Sequence, residues 1–360
     1  MKKHITPVQL AMLYTGSFLG AGFLSGQELL QFFGQFGLWG LAGMVLTIAA
    51  FGVFSWISLS IAKRTGHLEF DKIILRQDNK PLRLFFSAVF LIFLFGCTMG
   101  MIAGAGALLE QMFGIPALAG DAAMTLLVLA VAAAGAAGLV AAFDLVVPLL
   151  VAAAVVIGVL AVFRFPMDAI PALPVSDGNP LLGNWLFSAL SFLSYNMMAA
   201  ITILVPLTRD LEDESTIRQG LLLGSGVLTV IFVCILMPML WFKSLVGEAE
   251  LPMLALASRL LSVLGVIYAL LLLAGMFTAA LSCLFGITAR MEARRGSPLP
   301  RWQLAALCAA AFAGSIFGFK NVVSYVYPVC GYVGFFALLG VAAHYRFLQK
   351  NGPDNRQLSH

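Results

Sequence analysis

The first apolar segment of the chain contains the run Thr15-Gly16-Ser17-Phe18-Leu19-Gly20-Ala21-Gly22-Phe23-Leu24-Ser25-Gly26-Gln27-Glu28. Each glycine weakens a helix by about 1 kcal/mol relative to alanine, so four of them close together predict a local break. If the segment crosses a membrane, unwound backbone is tolerated only where it lines protein or a water-filled cavity. The run therefore predicts a discontinuous span whose free amide and carbonyl groups face a binding site.

The composition places this segment in a membrane protein. Of the 360 residues, 61% are hydrophobic and 11% are charged, with a mean hydropathy of +0.98. A soluble fold could not cover that much apolar surface. The segments 122–143 and 145–163 reach the roughly 20 apolar residues that a helix needs to cross the hydrocarbon. The alternating pattern of a membrane barrel is absent, so helices are the expected spanning element.

Hydrophobicity along the chain predicts ten spans. They lie near residues 9–33, 37–62, 83–112, 121–141, 145–164, 182–207, 217–242, 256–290, 302–318 and 322–345. With the N-terminus in the cytoplasm, only Arg164, Lys243, Arg259 and Lys320 of the 21 basic residues lie outside. This asymmetry supports the span count and predicts a multi-pass protein of a bacterial-type inner (plasma) membrane, with both termini cytoplasmic.

The ten spans divide into two sets of five with an offset of about 173 to 177 residues. An odd number of spans per half makes the second half enter the membrane from the opposite side, which is an inverted repeat. We expect a first five-helix repeat at 1–164, an extracellular linker at 165–181, a second repeat at 182–347 and a cytoplasmic tail at 348–360. The fold class is thus an all-α integral membrane protein with a 5+5 inverted repeat, and such repeats are typical of secondary transporters.

Polar residues inside the spans are the candidate site residues. Glu28 is expected to be functional, because a carboxylate within a span is costly; the alternative is a position near the outer headgroups. Gly16 and Gly20 either break the helix or let two helices approach closely. In span 6, Tyr195 and Asn196 are predicted to form a second break opposite the first, or else an interhelical hydrogen bond.

A cation site is predicted between spans 1 and 8. Thr278 and Ser282 are four residues apart and share one face of a helix, so their hydroxyls could complete an oxygen-lined Na⁺ site. The alternative is that each hydroxyl bonds a carbonyl of its own helix. We expect no other cofactor.

The segment Gly20-Ala21-Gly22-Phe23-Leu24-Ser25-Gly26-Gln27-Glu28 resembles the GAGFxSGQE signature of the YkvI-type membrane proteins. These are placed in the amino acid–polyamine–organocation superfamily, which has the LeuT fold. The resemblance implies discontinuous spans 1 and 6 with a substrate site between them. It implies a substrate set of Gly20, Ala21 and Gly22 with Tyr195 and Asn196, and the polar residues Ser25 and Gln27 of the same run are added to it as candidates. It implies Na⁺ ligands from the carbonyls of Gly16 and Leu19 and from the hydroxyls of Thr278 or Ser282.

Two departures from that superfamily bear on coupling. Proton-coupled relatives often place a lysine in span 5, whereas segment 145–163 has no ionisable residue, which leaves Na⁺ or protonation of Glu28. Cys283 stands where sodium-dependent relatives often offer a hydroxyl, and a thiol is a poor ligand for a hard cation.

The leading hypothesis is a secondary active transporter of a small solute, an amino acid or related organic ion, coupled to Na⁺ or H⁺ by alternating access. The alternative is a ligand-sensing receptor subunit that kept the transporter fold. An enzyme is not expected, because no Ser-His pair or His cluster lies at membrane depth. Scattered basic residues argue against nucleic-acid binding, and the five cysteines, all in apolar stretches, indicate neither disulfides nor zinc. The expected partners are the lipid bilayer and a small-molecule substrate; the oligomeric state stays open.

Overall fold

The computed structural model describes residues 5–76, 79–134, 140–168, 170, 178–211, 213–246 and 249–350. All regular secondary structure among the described residues is helical, with no strand. The first half contains α1 (Pro7–Phe18), α2 (Ala21–Leu24), α3 (Gln27–Phe32), α4 (Leu38–Thr65), α5 (Phe70–Ile74), α6 (Lys80–Phe113), α7 (Ala117–Ala134) and α8 (Val140–Arg164). The second half contains α9 (Trp185–Leu204), α10 (Glu214–Trp241), α11 (Lys243–Val246), α12 (Pro252–Leu260), α13 (Ser262–Arg295), α14 (Arg301–Ser315), α15 (Phe319–Asn321) and α16 (Tyr327–Lys350).

Polar caps and glycines set the ends of the long helices. The side chains of Asn79, Asn184 and Asp213 accept backbone N–H groups at the starts of α6, α9 and α10. These caps satisfy amides that have no partner within the helix. Gly66 and Gly114 end α4 and α6 with φ of 72° and 67°, a left-handed conformation that favours glycine. The helix ends therefore follow from local sequence signals.

Eight helices of the described chain are long and apolar enough to cross a membrane. These spans are Leu38–Thr65, Lys80–Phe113, Ala117–Ala134, Val146–Arg164, Trp185–Arg209, Glu214–Trp241, Ser262–Arg295 and Phe319–Lys350. The other two predicted spans differ for identifiable reasons. The segment 9–33 is divided among α1, α2 and α3, and the segment 302–318 corresponds to α14, which has only 15 residues. The ten-span, five-plus-five arrangement therefore stays a prediction.

The prediction that span 6 is broken at Tyr195 and Asn196 was wrong. Helix α9 is continuous through both residues. The chain changes to 3₁₀ geometry only at Val205–Arg209, a segment that contains Pro206. Residues 185–204 contain no glycine, so nothing in this segment weakens the helix as it does in span 1. Polar side chains alone did not interrupt it.

Two predicted boundaries touch residues outside the described part of the chain. The linker 165–181 includes 171–177, and the tail 348–360 includes 351–360, which all lie outside the described residues. Helix α16 continues to Lys350, so the predicted tail begins inside a helix.

Helices α6 and α13 are the longest described, with 34 residues each, and they pack against one another. Helix α1 packs against α10 through Tyr14, whose hydroxyl is 3.1 Å from that of Ser225. The short α2 packs closely on α13: a Cβ built on Gly275 of α13 would lie 3.5 Å from the Cβ of Ala21. The interrupted first segment is thus enclosed by α6, α9, α10 and α13.

Candidate functional site

The predicted break in the first segment is confirmed. The hydrogen-bond ladder of α1 ends where the Leu19 N–H donates to the Gly16 carbonyl at 3.3 Å. It resumes where the Leu24 N–H donates to the Gly20 carbonyl at 3.0 Å. Between them Gly20 is extended, with φ −97° and ψ 166°. The glycine-rich sequence therefore interrupts the helix where its low helix propensity predicts.

A second break in the helix follows at Gly26, and the carbonyl groups just before it accept hydrogen bonds from other parts of the protein. Gly26 has a φ of 85°, a left-handed conformation that favours glycine. The Leu24 carbonyl accepts from the Tyr268 hydroxyl of α13 at 2.5 Å. The Ser25 carbonyl accepts from the Met253 N–H at 2.9 Å, and the Ser25 hydroxyl donates within its own segment. Both carbonyls are thus hydrogen-bonded within the protein, and Ser25 stabilises the local backbone conformation.

The glycines of the first break differ in their surroundings. Gly16 and Gly20 are exposed, and a Cβ built on either would meet no atom within 4 Å. Close helix packing, the alternative explanation for this pair, is not what the structure contains. At Gly22, by contrast, a Cβ would lie 2.2 Å from the Glu28 Oε1 atom. Gly22 therefore provides the space that the Glu28 carboxyl group occupies.

Glu28 joins the interrupted segment to α9. Its side chain is only 6% exposed, and its Oε2 atom accepts a hydrogen bond from the Tyr195 hydroxyl at 2.9 Å. Protein therefore encloses the carboxyl group, whatever its depth in the membrane. Asn196 lies beside Tyr195, but its Nδ2 donates to the Phe192 carbonyl of its own helix at 3.0 Å. Tyr195, rather than Asn196, makes the interhelical contact.

Aromatic rings surround Tyr195. Ring centroids of Tyr327, Phe192, Phe32 and Phe93 lie 5.2, 5.4, 5.6 and 5.7 Å from that of Tyr195. Sequence reasoning missed Tyr327 and Phe93, because neither stands out in segments that are apolar throughout. The Glu28 carboxyl group is thus bonded to the central member of a cluster of aromatic rings.

Gln27 carries a buried amide without a partner. The residue is 0% exposed, and neither its Nε2 nor its Oε1 atom makes a hydrogen bond in the described structure. A buried polar group of this kind costs about 1–3 kcal/mol, so native proteins usually pair it with protein, water or ligand. A polar group of a ligand could pair with this buried amide, which belongs to the same short helix as Glu28.

The predicted Na⁺ ligands are not gathered into one buried set. Thr278 is 3% exposed, and its hydroxyl donates to the Gly275 carbonyl one turn away at 2.9 Å. Ser282 is exposed, as is Gly16, whereas Leu19 is buried. The hydroxyl of Thr278 is thus engaged with its own helix, and the Na⁺ site stays a prediction. Within the described ranges, no three His, Cys, Asp or Glu side chains are placed to hold a metal ion.

Two proteins of Bacillus subtilis (strain 168) are similar to this chain over most of its length. The uncharacterized membrane protein YkvI is 28% identical over 353 residues, which is 97% of each chain. The uncharacterized protein YyaD is 24% identical over 334 residues, which is 91% of this chain and 94% of that protein. No family model matches the sequence.

The fold is similar to that of a manganese transporter from Eremococcus coleocola. Its complex with an aromatic bis-isothiourea substituted compound superimposes with a TM-score of 0.55, at 14% identity, over 96% of this chain and 86% of that chain. A mutant form of the same transporter gives a TM-score of 0.53 at 13% identity, over 99% and 89% of the two chains. The protein is therefore a multi-pass helical membrane protein with a transporter-like fold.

Proposed function

We propose that this protein is a secondary active transporter of a small solute that carries an ammonium group, such as an amino acid or a related organic cation. Transport by alternating access would be coupled to H⁺ or Na⁺. The observation that supports this most is the bond between Glu28 in the interrupted first segment and Tyr195 in α9. It places a buried carboxyl group between elements from the two halves of the chain.

The chemistry of this site suits an organic ammonium ion. A carboxylate enclosed by protein is costly unless a cation, a proton or hydrogen bonds neutralise it. The faces of Tyr195 and its neighbouring rings attract a cation through their quadrupoles, by about 0.5–2 kcal/mol for each good contact. The buried amide of Gln27 could pair with a further polar group of the solute. A substrate ammonium ion and a proton would then compete for Glu28.

Manganese is not the substrate that we propose, despite the name of the structural relative. Hard divalent ions are held by several oxygen ligands, usually carboxylates and carbonyls. In the described chain, Glu28 has one hydroxyl partner and belongs to no group of three acidic, His or Cys side chains that could hold a metal. The donor set therefore favours an organic solute.

The test is uptake by proteoliposomes. Labelled amino acids and amines are screened with and without gradients of H⁺ and Na⁺, alongside equilibrium binding of the same compounds. Accumulation against a gradient would support transport. Binding that never leads to accumulation would support the receptor alternative instead.

Glu28→Gln separates the carboxylate from the rest of the site. We expect it to lower affinity for an ammonium solute at least tenfold and to abolish the pH dependence of uptake, since the amide can neither pair with a cation nor titrate. Glu110→Gln is the matched control, because Glu110 is an exposed carboxylate at the end of α6. Equal losses in the two variants, or unchanged pH dependence in Glu28→Gln, would contradict the role of Glu28.

Sodium coupling has its own test. If Thr278 and Ser282 provide ligands, replacing both by alanine should raise the Na⁺ concentration needed for half-maximal uptake. If Na⁺ never affects the parent protein, proton coupling is the remaining option.

A further inference from the structure

Helices α6 and α13 run antiparallel in a constant register. The guanidinium of Arg290 lies over the ring of Phe90, 4.4 Å from its centroid. One turn further along, Leu94 Cδ1 lies 2.9 Å from where a Cβ on Gly286 would be. A residue four positions later in α6 is therefore paired with a residue four positions earlier in α13. The next pair in this register is Cys97 and Cys283.

This register places Cys97 and Cys283 opposite one another where α6 packs against α13. The Tyr327 hydroxyl lies beside α6 one turn further along, 3.4 Å from where a Cβ on Gly100 would be. Both cysteines are half-buried and neither is in a disulfide. The ring of Tyr327 lies 5.2 Å from that of Tyr195, whose hydroxyl donates to Glu28. The pair thus lies next to the candidate substrate site, near the middle of the two longest helices.

We propose that Cys97 and Cys283 form a two-thiol binding site for a soft divalent metal ion such as Cd²⁺ or Hg²⁺. Sulfur ligands select soft ions over Na⁺, Mg²⁺ or Mn²⁺. On binding, each thiol releases its proton to solvent, and the two thiolates bring two negative charges to the ion. The resulting unit is neutral, which avoids a net charge within the membrane-spanning part of the protein.

The nearby Glu28 carboxyl group favours a divalent ion over a monovalent one. A monovalent soft ion held by two thiolates would leave a net negative charge close to the Glu28 carboxyl group, and like charges repel. A divalent ion leaves none. Because the two ligands come from different long helices, a bound ion would tie α6 to α13 beside the interrupted first segment. This site does not depend on the identity of the transported solute.

The experiment measures Cd²⁺ binding to the purified full-length protein in lipid nanodiscs, by equilibrium dialysis and by the ultraviolet absorption of cadmium–thiolate bonds. We expect one Cd²⁺ per chain that gives this absorption, and an increase in Tm, because a ligand that binds only the folded state stabilises it. Cys97→Ser and Cys283→Ser should each weaken this binding at least tenfold. The double variant should bind Cd²⁺ no more weakly than either single variant, because one remaining thiol cannot chelate the ion.

The controls are Cys308→Ser and Cys330→Ser, which replace buried cysteines elsewhere in the fold. They should retain the thiolate absorption. Each variant is first compared with the parent in Tm without Cd²⁺, so that misfolding is recognised. The proposal is overturned if the parent lacks the thiolate absorption, if the double variant retains it, or if each single variant loses half of it and the double variant all of it.

Discussion

Gly22→Ala tests directly whether Gly22 exists to make room for the Glu28 carboxyl group. The new methyl carbon would lie 2.2 Å from Glu28 Oε1, 3.2 Å from its Cδ and 3.5 Å from Met101 Cε. The first distance is far inside van der Waals contact, so the carboxyl group must move. Moving it breaks the 2.9 Å hydrogen bond from Tyr195.

The expected cost follows from that displacement. A buried hydrogen bond that loses one partner costs about 1–3 kcal/mol, and overpacking a filled site costs a similar amount. Since the carboxyl group can rotate away from the new methyl, we expect the two costs to overlap and to total about 2–3 kcal/mol. That is a change of roughly 30- to 150-fold in the unfolding equilibrium constant.

Gly20→Ala is the matched control, because it lies in the same break and a Cβ there meets no atom within 4 Å. Its φ of −97° suits alanine, so its effect should be below about 0.5 kcal/mol. The assay is reversible denaturant unfolding in mixed micelles, followed by tryptophan fluorescence.

A double-mutant cycle with Glu28→Ala isolates the contact. Once the carboxyl group is removed, Gly22→Ala should cost little, which gives a coupling energy of about 2–3 kcal/mol. If Gly22→Ala costs the same with and without the Glu28 carboxyl group, or no more than Gly20→Ala, the assignment of Gly22 is wrong.

Two further predictions concern packing and pH. A Cβ at Gly158 in α8 would lie 2.0 Å from the Cys234 carbonyl oxygen of α10, so Gly158→Ala should destabilise by at least about 1–3 kcal/mol in the same unfolding assay. Gly226→Ala in α10 meets nothing within 4 Å and should be neutral or stabilising by up to about 1 kcal/mol; a similar effect of both would contradict the packing argument. Hydrogen bonds from Ser244 lower the pKa of Asp168, which lies outside the spans, so its contribution is present above the unfolded pKa of about 4 and is lost as pH falls further. Asp168→Asn should therefore be less stable than the parent at neutral pH, and this difference in stability should shrink in acid. A difference that grows below a pH of about 4 would contradict the prediction.

The sequence alone determined the membrane character of the protein, most helix positions and the break in the first segment. These depend on local properties, namely the length of apolar runs and the low helix propensity of clustered glycines. It also identified Glu28, because a carboxyl group is conspicuous in an apolar segment. The same reasoning failed for span 6, where polar residues without glycine left α9 continuous.

Only the tertiary structure decided what these residues touch. Tyr195 was one of several polar residues in α9 until the packing placed its hydroxyl on Glu28. Gly22 looked like Gly16 and Gly20 until the carboxyl group was seen to occupy its empty Cβ position. Cys97 and Cys283 were unrelated apolar residues until the register of α6 against α13 placed them opposite one another. Such contacts depend on the rotation and register of helices far apart in the chain, and local patterns do not encode these.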